Sequence, residues 1–379
     1  MSSLEFDIPS TAKAAVVVAA NAPIEVWSVP VPDLEPGSLL VRVDAATICG
    51  SDIHLWDGAL SAIRPINFPV IPGHEMAGTI VSAGPGAHAD VAGQELRLGD
   101  RIIFTQGRCG TCYYCAIARQ PNLCTDRRPY GDNCERFPYL VGGFAEYCYV
   151  YPTSRRVRVP GSVKPEWASA ASCALRTVIG AFERLGRVDP SETLVIQGSG
   201  PLGLFATAWA KRAGVRRIVV IGDPAERLEL ALNWGADEVL AIADYPDSES
   251  RISGVLSLTG GVGAEVVMEF SGARTAFPEG IDMTRRGGRF IVVGQAGPHE
   301  ATVRPTEITR KHLTVLGSFS ASESQYWRAI DFLDAAQDEF DFDRMITGRY
   351  RLDDADQAYR SMKAFREIKP VLLPGESIS

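Results

Sequence analysis

The sequence predicts an α/β chain of two domains, one β-rich and one a doubly wound parallel sheet, and three observations carry that reading. At 379 residues the chain exceeds the length at which a single hydrophobic core keeps growing. Short β-branched runs broken by Pro, Gly and Asp fill the N-terminal part, as in an antiparallel barrel or sandwich. From about residue 175, strand-like and helix-length segments alternate, which argues for a parallel sheet with crossover helices.

Taken in order, AAVVVAA (14–20), LLVRVDAA (39–46) and MAGTIVSAG (76–84) are strands, separated by turns such as PDLEPGS and RLGD. TLVIQG (193–198), RRIVVIGD (216–223), EVVMEFSG (265–272) and GRFIVVG (288–294) are the strands of the second domain. PLGLFATAWAKRAG and PAERLELALNWGA are helices between them. Beyond residue 319 the alternation stops. QYWRAIDFLDAAQ, a last helix near 354–365 and the strand PVLLP are expected to return to the first domain. The division is therefore 1–174 with 319–379, against 175–318.

Composition excludes several function classes. The net charge of −8 offers no footprint for nucleic acid or an anionic membrane. The N-terminus starts polar and acidic without a signal-peptide pattern, and no apolar run approaches bilayer length. A cytoplasmic protein is expected.

Residues 192–213 place Gly198, Gly200 and Gly203 in G-x-G-x-x-G spacing, with Pro201 and Leu202 between the last two, directly after an apolar strand and opening a helix. The glycines allow a tight turn, close approach of a pyrophosphate and close helix–strand packing. Asp223 ends the next strand, where a carboxylate can accept both ribose hydroxyls, which favours NAD over NADP. Asp223 could instead cap the helix that follows, with Pro224 at its first position and Glu226 at its third. Arg227 flanks the adenosine, reaches a 2′-phosphate, or is a solvated helix residue.

Four of the eight cysteines, Cys109, Cys112, Cys115 and Cys124, form C-x2-C-x2-C-x8-C in a lobe of about 105–135. That spacing closes a tetrahedron of thiolates around zinc and leaves no open position, so the site is structural. Cys134 and Cys148 fall outside it. A second constellation comprises Cys49, Ser51, Asp52 and His54 in ICGSDIH, His74 and Glu75 in PGHEMAG, and Cys173 in SCALRT. Two thiolates, an imidazole and a water make an open zinc site.

With these motifs in this order, the sequence resembles the zinc-dependent medium-chain dehydrogenase/reductase superfamily, with its alcohol, polyol and threonine dehydrogenases. Gly73-His74-Glu75 with Gly78 and Gly84 matches the signature G-H-E-x2-G-x5-G. The resemblance implies a GroES-like catalytic domain, a Rossmann domain, a cleft between them, and a homodimer or homotetramer. It implies that Cys49, His74 and Cys173 bind catalytic zinc, that Asp52 orients His74, and that Ser51 and His54 relay a proton. Two departures stand out: the lobe's last spacing is one residue longer than the usual seven, and SCALRT differs from the segment familiar in alcohol and sorbitol dehydrogenases.

The reading that follows is an NAD-dependent oxidoreductase with two zinc ions per chain, acting on a small alcohol and its ketone or aldehyde, with a secondary alcohol expected. The resemblance implies that Glu75 lies close behind the metal; of the two candidates for the third ligand, Cys173 and Glu75, Cys173 is expected, because side chains adjacent in a turn usually diverge and Glu75 directly follows His74. Trp56, Leu60 and Phe104 are candidates to line an apolar substrate pocket. Two other readings compete: a zinc-independent NADPH reductase of activated C=C bonds, which has no use for Cys49, His74 or Cys173, and a non-catalytic dinucleotide-binding relative.

Overall fold

The computed structural model describes residues 6–63, 65–294 and 300–375. Two compact units emerge: residues up to Arg176 join those from Ala321 onward in the first, and Thr177–Ser320 form the second.

The first unit is built on a seven-stranded, mainly antiparallel sheet. Its path runs Gly348–Tyr350, Pro370–Leu372, Leu39–Thr47, Met76–Ala83, Arg101–Phe104, Arg156–Arg158, with Tyr147–Val150 also paired to Leu39–Thr47. Alternation along Leu39–Thr47 buries Leu39, Val41 and Val43 against Ile80, Ile102 and Phe104. Three registers matter for function. Ala46 pairs with Met76, so the end of one strand lies beside the start of the next. Val371 pairs with Thr47, and the Ile48 amide donates to the Pro370 carbonyl at 3.0 Å, bringing the C-terminal strand to the same place. The helix Pro165–Ala170 is fixed there by Ser169, whose hydroxyl accepts from the Thr47 amide at 2.8 Å and donates to the Glu75 carbonyl at 3.0 Å.

The second unit is a six-stranded parallel sheet ordered Glu238–Ala241, Arg217–Gly222, Thr193–Gln197, Ala264–Glu269, Thr284–Val292, Thr314–Gly317. This is the doubly wound order, with strand order reversing beside Thr193–Gln197. Val195, Val219, Val267 and Phe290 are fully buried, as expected of strands covered on both faces.

Candidate active site

The open constellation assembles where those three registers meet. Cys49 immediately precedes the helix Gly50–Trp56 and stands at its N-cap. Asp52, the third residue of that helix, accepts from the Cys49 amide at 2.9 Å and the Gly73 amide at 3.3 Å, and its Oδ1 lies 3.3 Å from His74 Nδ1. One buried carboxylate thus ties both ligand segments together and turns Nε2 of His74 toward the thiols. Gly73 has φ +91°, and a Cβ there would meet Phe144 at 2.7 Å, so only glycine makes the turn that presents His74.

Cys173 arrives by a different device. The helix from Pro165 does not continue regularly into Arg176–Leu185; a π-helical turn, Ala171–Leu175, intervenes and carries Cys173. The π turn inserts one extra residue, a feature frequent at functional sites.

Ligand atoms of Cys49, His74, Glu75 and Cys173 all lie within 4.8 Å of one another. The expectation that Glu75 diverges from His74 is therefore corrected. His74 and Glu75 sit at the entrance of a strand beginning at Met76, and the carboxylate is drawn inward by Lys369 Nζ at 2.5 Å and Thr47 Oγ1 at 2.6 Å, both to Oε2. Oε1 is buried without a hydrogen-bond partner among the described residues.

The protons in this cluster are contested. The hydrogen bond with Cys49, then the Arg176 guanidinium, hold the Cys173 thiol well below the usual range against burial, while the same bond and burial push Cys49 up. Burial opposes the imidazolium of His74, yet Asp52 and the neighbouring thiols hold its pKa well above the ordinary value. Burial pushes the Glu75 carboxyl up to about 7 against the pull of Lys369. Dry donors crowded this closely, with an orphaned carboxylate oxygen, fit a dication, which would replace the protons they share.

Lys369 is one residue the sequence reading misses. It is 2% exposed, and a lysine inside the apolar stretch IKPVLLP is the signal that could have revealed it. Ser51 and His54 lie three apart on Gly50–Trp56, hence on one face, with Ser51 partly buried and His54 exposed. Trp56 is buried, donates to the Ala22 carbonyl, and lines a separate cavity of about 830 Å³ with Asn21, Asp356 and Arg360. Phe104 packs edge-to-face on Tyr130 in the core, and Leu60 packs against the same core.

In the lobe, the ligand sulfurs of Cys109, Cys112, Cys115 and Cys124 also cluster within 4.8 Å. The extra residue before Cys124 is absorbed by a 3-10 turn, Pro121–Leu123, leaving Cys124 3.5 Å from Cys109. Backbone amides, that of Thr125 foremost, pull Cys112 down to about 6, whereas burial pushes Cys115 up to about 12. Cys134 and Cys148 are buried in the core, away from both clusters.

In the second unit, Gly198 has φ +113°, and a Cβ on Gly203 would lie 1.8 Å from the Gly198 carbonyl oxygen. Helix Pro201–Arg212 starts on Gly200, which has nothing within 4 Å of where a Cβ would stand. This open glycine at a helix N-terminus fits a pyrophosphate. The helix-cap alternative for Asp223 is not met: Ala225–Asn233 is capped by Pro224, and Asp223 is exposed at the strand end. Its backbone is held at both ends by Ser199 Oγ, at 3.1 Å from the amide and 3.0 Å from the carbonyl. Arg227 is buried beside Asp223 and is not the solvated residue considered as an alternative.

A doubly wound dinucleotide fold and a Cys/His metal cluster in one chain define a metal-dependent dehydrogenase class. Residues 35–161 match the family described as alcohol dehydrogenase GroES-like domain, and residues 201–335 the zinc-binding dehydrogenase family. The chain is 34% identical over 368 residues to a 5-exo-hydroxycamphor dehydrogenase of Pseudomonas putida, covering 95% of this chain and 98% of the relative. It is 33% identical over 360 residues to an L-threonine 3-dehydrogenase of Thermococcus kodakarensis, covering 92% and 94%. A crystal structure of an alcohol dehydrogenase from Thermotoga maritima superposes with a TM-score of 0.88 at 30% identity, covering 96% of this chain and 99% of that one. The chain belongs to the zinc-dependent medium-chain dehydrogenase/reductase superfamily.

Proposed function

We propose that this alcohol oxidoreductase is an NAD-linked enzyme with two zinc ions per chain that interconverts a secondary alcohol and its ketone. The observation that carries the proposal is the donor set of Cys49, His74 and Cys173 with the orphaned Glu75 oxygen beside it, in a chain that also carries the glycine cradle and Asp223. The names of the two relatives, for 5-exo-hydroxycamphor and for threonine at carbon 3, support a secondary alcohol.

In this reading Cys49, His74 and Cys173 hold the catalytic zinc and the four lobe cysteines the structural one. Zinc, when bound, supplies Lewis acidity that lowers the pKa of an oxygen from about 16 to about 7, worth roughly 12 kcal/mol. Asp52 keeps the His74 ring in one tautomer. Ser51 would take the alcohol's hydroxyl proton as it gives up its own toward His54, which is exposed on the same helix face and would release a proton to solvent. NAD would supply the hydride acceptor when bound. Gly198, Gly200, Pro201, Leu202 and Gly203 shape the pyrophosphate seat, and Asp223 accepts the ribose hydroxyls while repelling a 2′-phosphate. Among the described residues no helix is long and apolar enough to cross a membrane; a cytoplasmic homo-oligomer is part of the proposal.

Metal analysis with an NADH-absorbance screen over alcohols, polyols, amino alcohols and hydroxyacids tests this. Two zinc ions and turnover of a secondary alcohol are expected. Well under one zinc in metal-replete protein removes the reading, and NADPH turnover of activated C=C bonds by zinc-free protein would transfer it to the competing reductase.

A further inference from the structure

SCALRT, which differs from the segment familiar in alcohol and sorbitol dehydrogenases, carries an arginine three residues after Cys173, and that arginine does not face water. Arg176 is 6% exposed. Its Nε donates to the Ser172 carbonyl at 2.8 Å, which anchors the guanidinium at the π turn. Its carbon Cζ lies 5.1 Å from the centre of the Tyr326 ring, which covers one face. Nη2 lies 3.6 Å from Cys173 Sγ, a normal donor distance for sulfur.

Burying a guanidinium is costly unless its hydrogen bonds and charge are answered. Four anionic groups meet at the cluster when loaded: the thiolates of Cys49 and Cys173 and the carboxylates of Asp52 and Glu75. Lys369, Arg176 and a dication supply an equal positive charge. Without Arg176 the loaded site would carry an excess negative charge and the Cys173 sulfur would lose a directed donor.

We propose that Arg176 is a positioning residue of the metal centre, its guanidinium donating to the Cys173 thiolate and holding that sulfur in the ligating rotamer. This rests on the reading that Cys49, His74 and Cys173 bind the catalytic zinc. The planar guanidinium suits the task because one edge grips the Ser172 carbonyl while another reaches the sulfur; a lysine ammonium, a point charge on a flexible stem, cannot do both.

The test uses full-length protein with zinc in the lobe and cobalt in the open site, comparing wild type with Arg176→Met and Arg176→Lys. A thiolate deprived of a hydrogen-bond donor gives up electrons more readily, so the sulfur-to-cobalt charge-transfer band should move to lower energy in both variants, further in Arg176→Met. Zinc affinity at the open site should fall about 10- to 100-fold. Arg176→Lys, which keeps the charge, carries the test should Arg176→Met fail to fold by circular dichroism. A folded variant with the wild-type band and wild-type affinity overturns the proposal. A wild type that takes up no cobalt beyond the lobe instead overturns the metal reading beneath it.

Discussion

Lys369→Met puts the assembly of the site to a quantitative test. Lys369 Nζ and Glu75 Oε2 are 2.5 Å apart, with side chains 2% and 1% exposed. At an effective dielectric of about 20 the attraction is on the order of 7 kcal/mol. Desolvation of both ions offsets most of it, yet removing one partner strands the other, which costs about 3–5 kcal/mol. At roughly 2–4 °C per kcal/mol for a domain of this size class, the expected loss in Tm is about 6–20 °C. The assay is a double-mutant cycle of Lys369→Met, Glu75→Gln and the pair, read by thermal unfolding with the lobe zinc retained and the open site emptied. The double variant should recover most of the loss, since no buried charge is left unanswered, and the coupling should be on the order of 3 kcal/mol. Equal stability of Lys369→Met and wild type would refute the reasoning, as would a loss that Glu75→Gln fails to relieve.

Further outcomes follow from the same geometry. Cys173→Ala should lose the open-site zinc and activity, while Glu75→Gln keeps the metal and loses about 10- to 100-fold in rate; zinc retained in the first and lost in the second, by elemental analysis, would pass the ligand role to Glu75. Cys112→Ser should lower stability or disturb assembly, because it removes the folding free energy of the lobe's metal, whereas Cys49→Ser should give a folded protein without turnover; circular dichroism beside a rate assay separates them. Asp223→Ser should narrow the preference for NADH over NADPH, and a wild type that already favours NADPH would show that Asp223 does not read the ribose.

Part of this protein is determined by short stretches of sequence, because the physics there is local. The lobe cysteines lie on one loop, so spacing alone brings four sulfurs within reach, and a 3-10 turn absorbs the one irregular interval. The glycines at 198, 200 and 203 act within one strand–turn–helix, and their backbone demands can be read in place. Gly73 before His74 belongs to the same class, since its φ of +91° is a property of one turn.

The open site is of another kind. Its members come from residues 49, 74, 75, 173 and 369, and sheet register decides that they meet: Ala46 opposite Met76, and Val371 opposite Thr47. No local pattern encodes that register. It follows from burying whole strand faces at once, because a slip of one residue would turn every side chain to the wrong face. Only the fold therefore shows that Glu75 turns inward with His74, that Lys369 answers it, and that Asp223 does not cap its helix. The π turn at Cys173 and the guanidinium behind it were equally hidden, because an added residue in a helix and a buried arginine leave no periodic trace; each is tolerated only where the surrounding packing and charge compensate it.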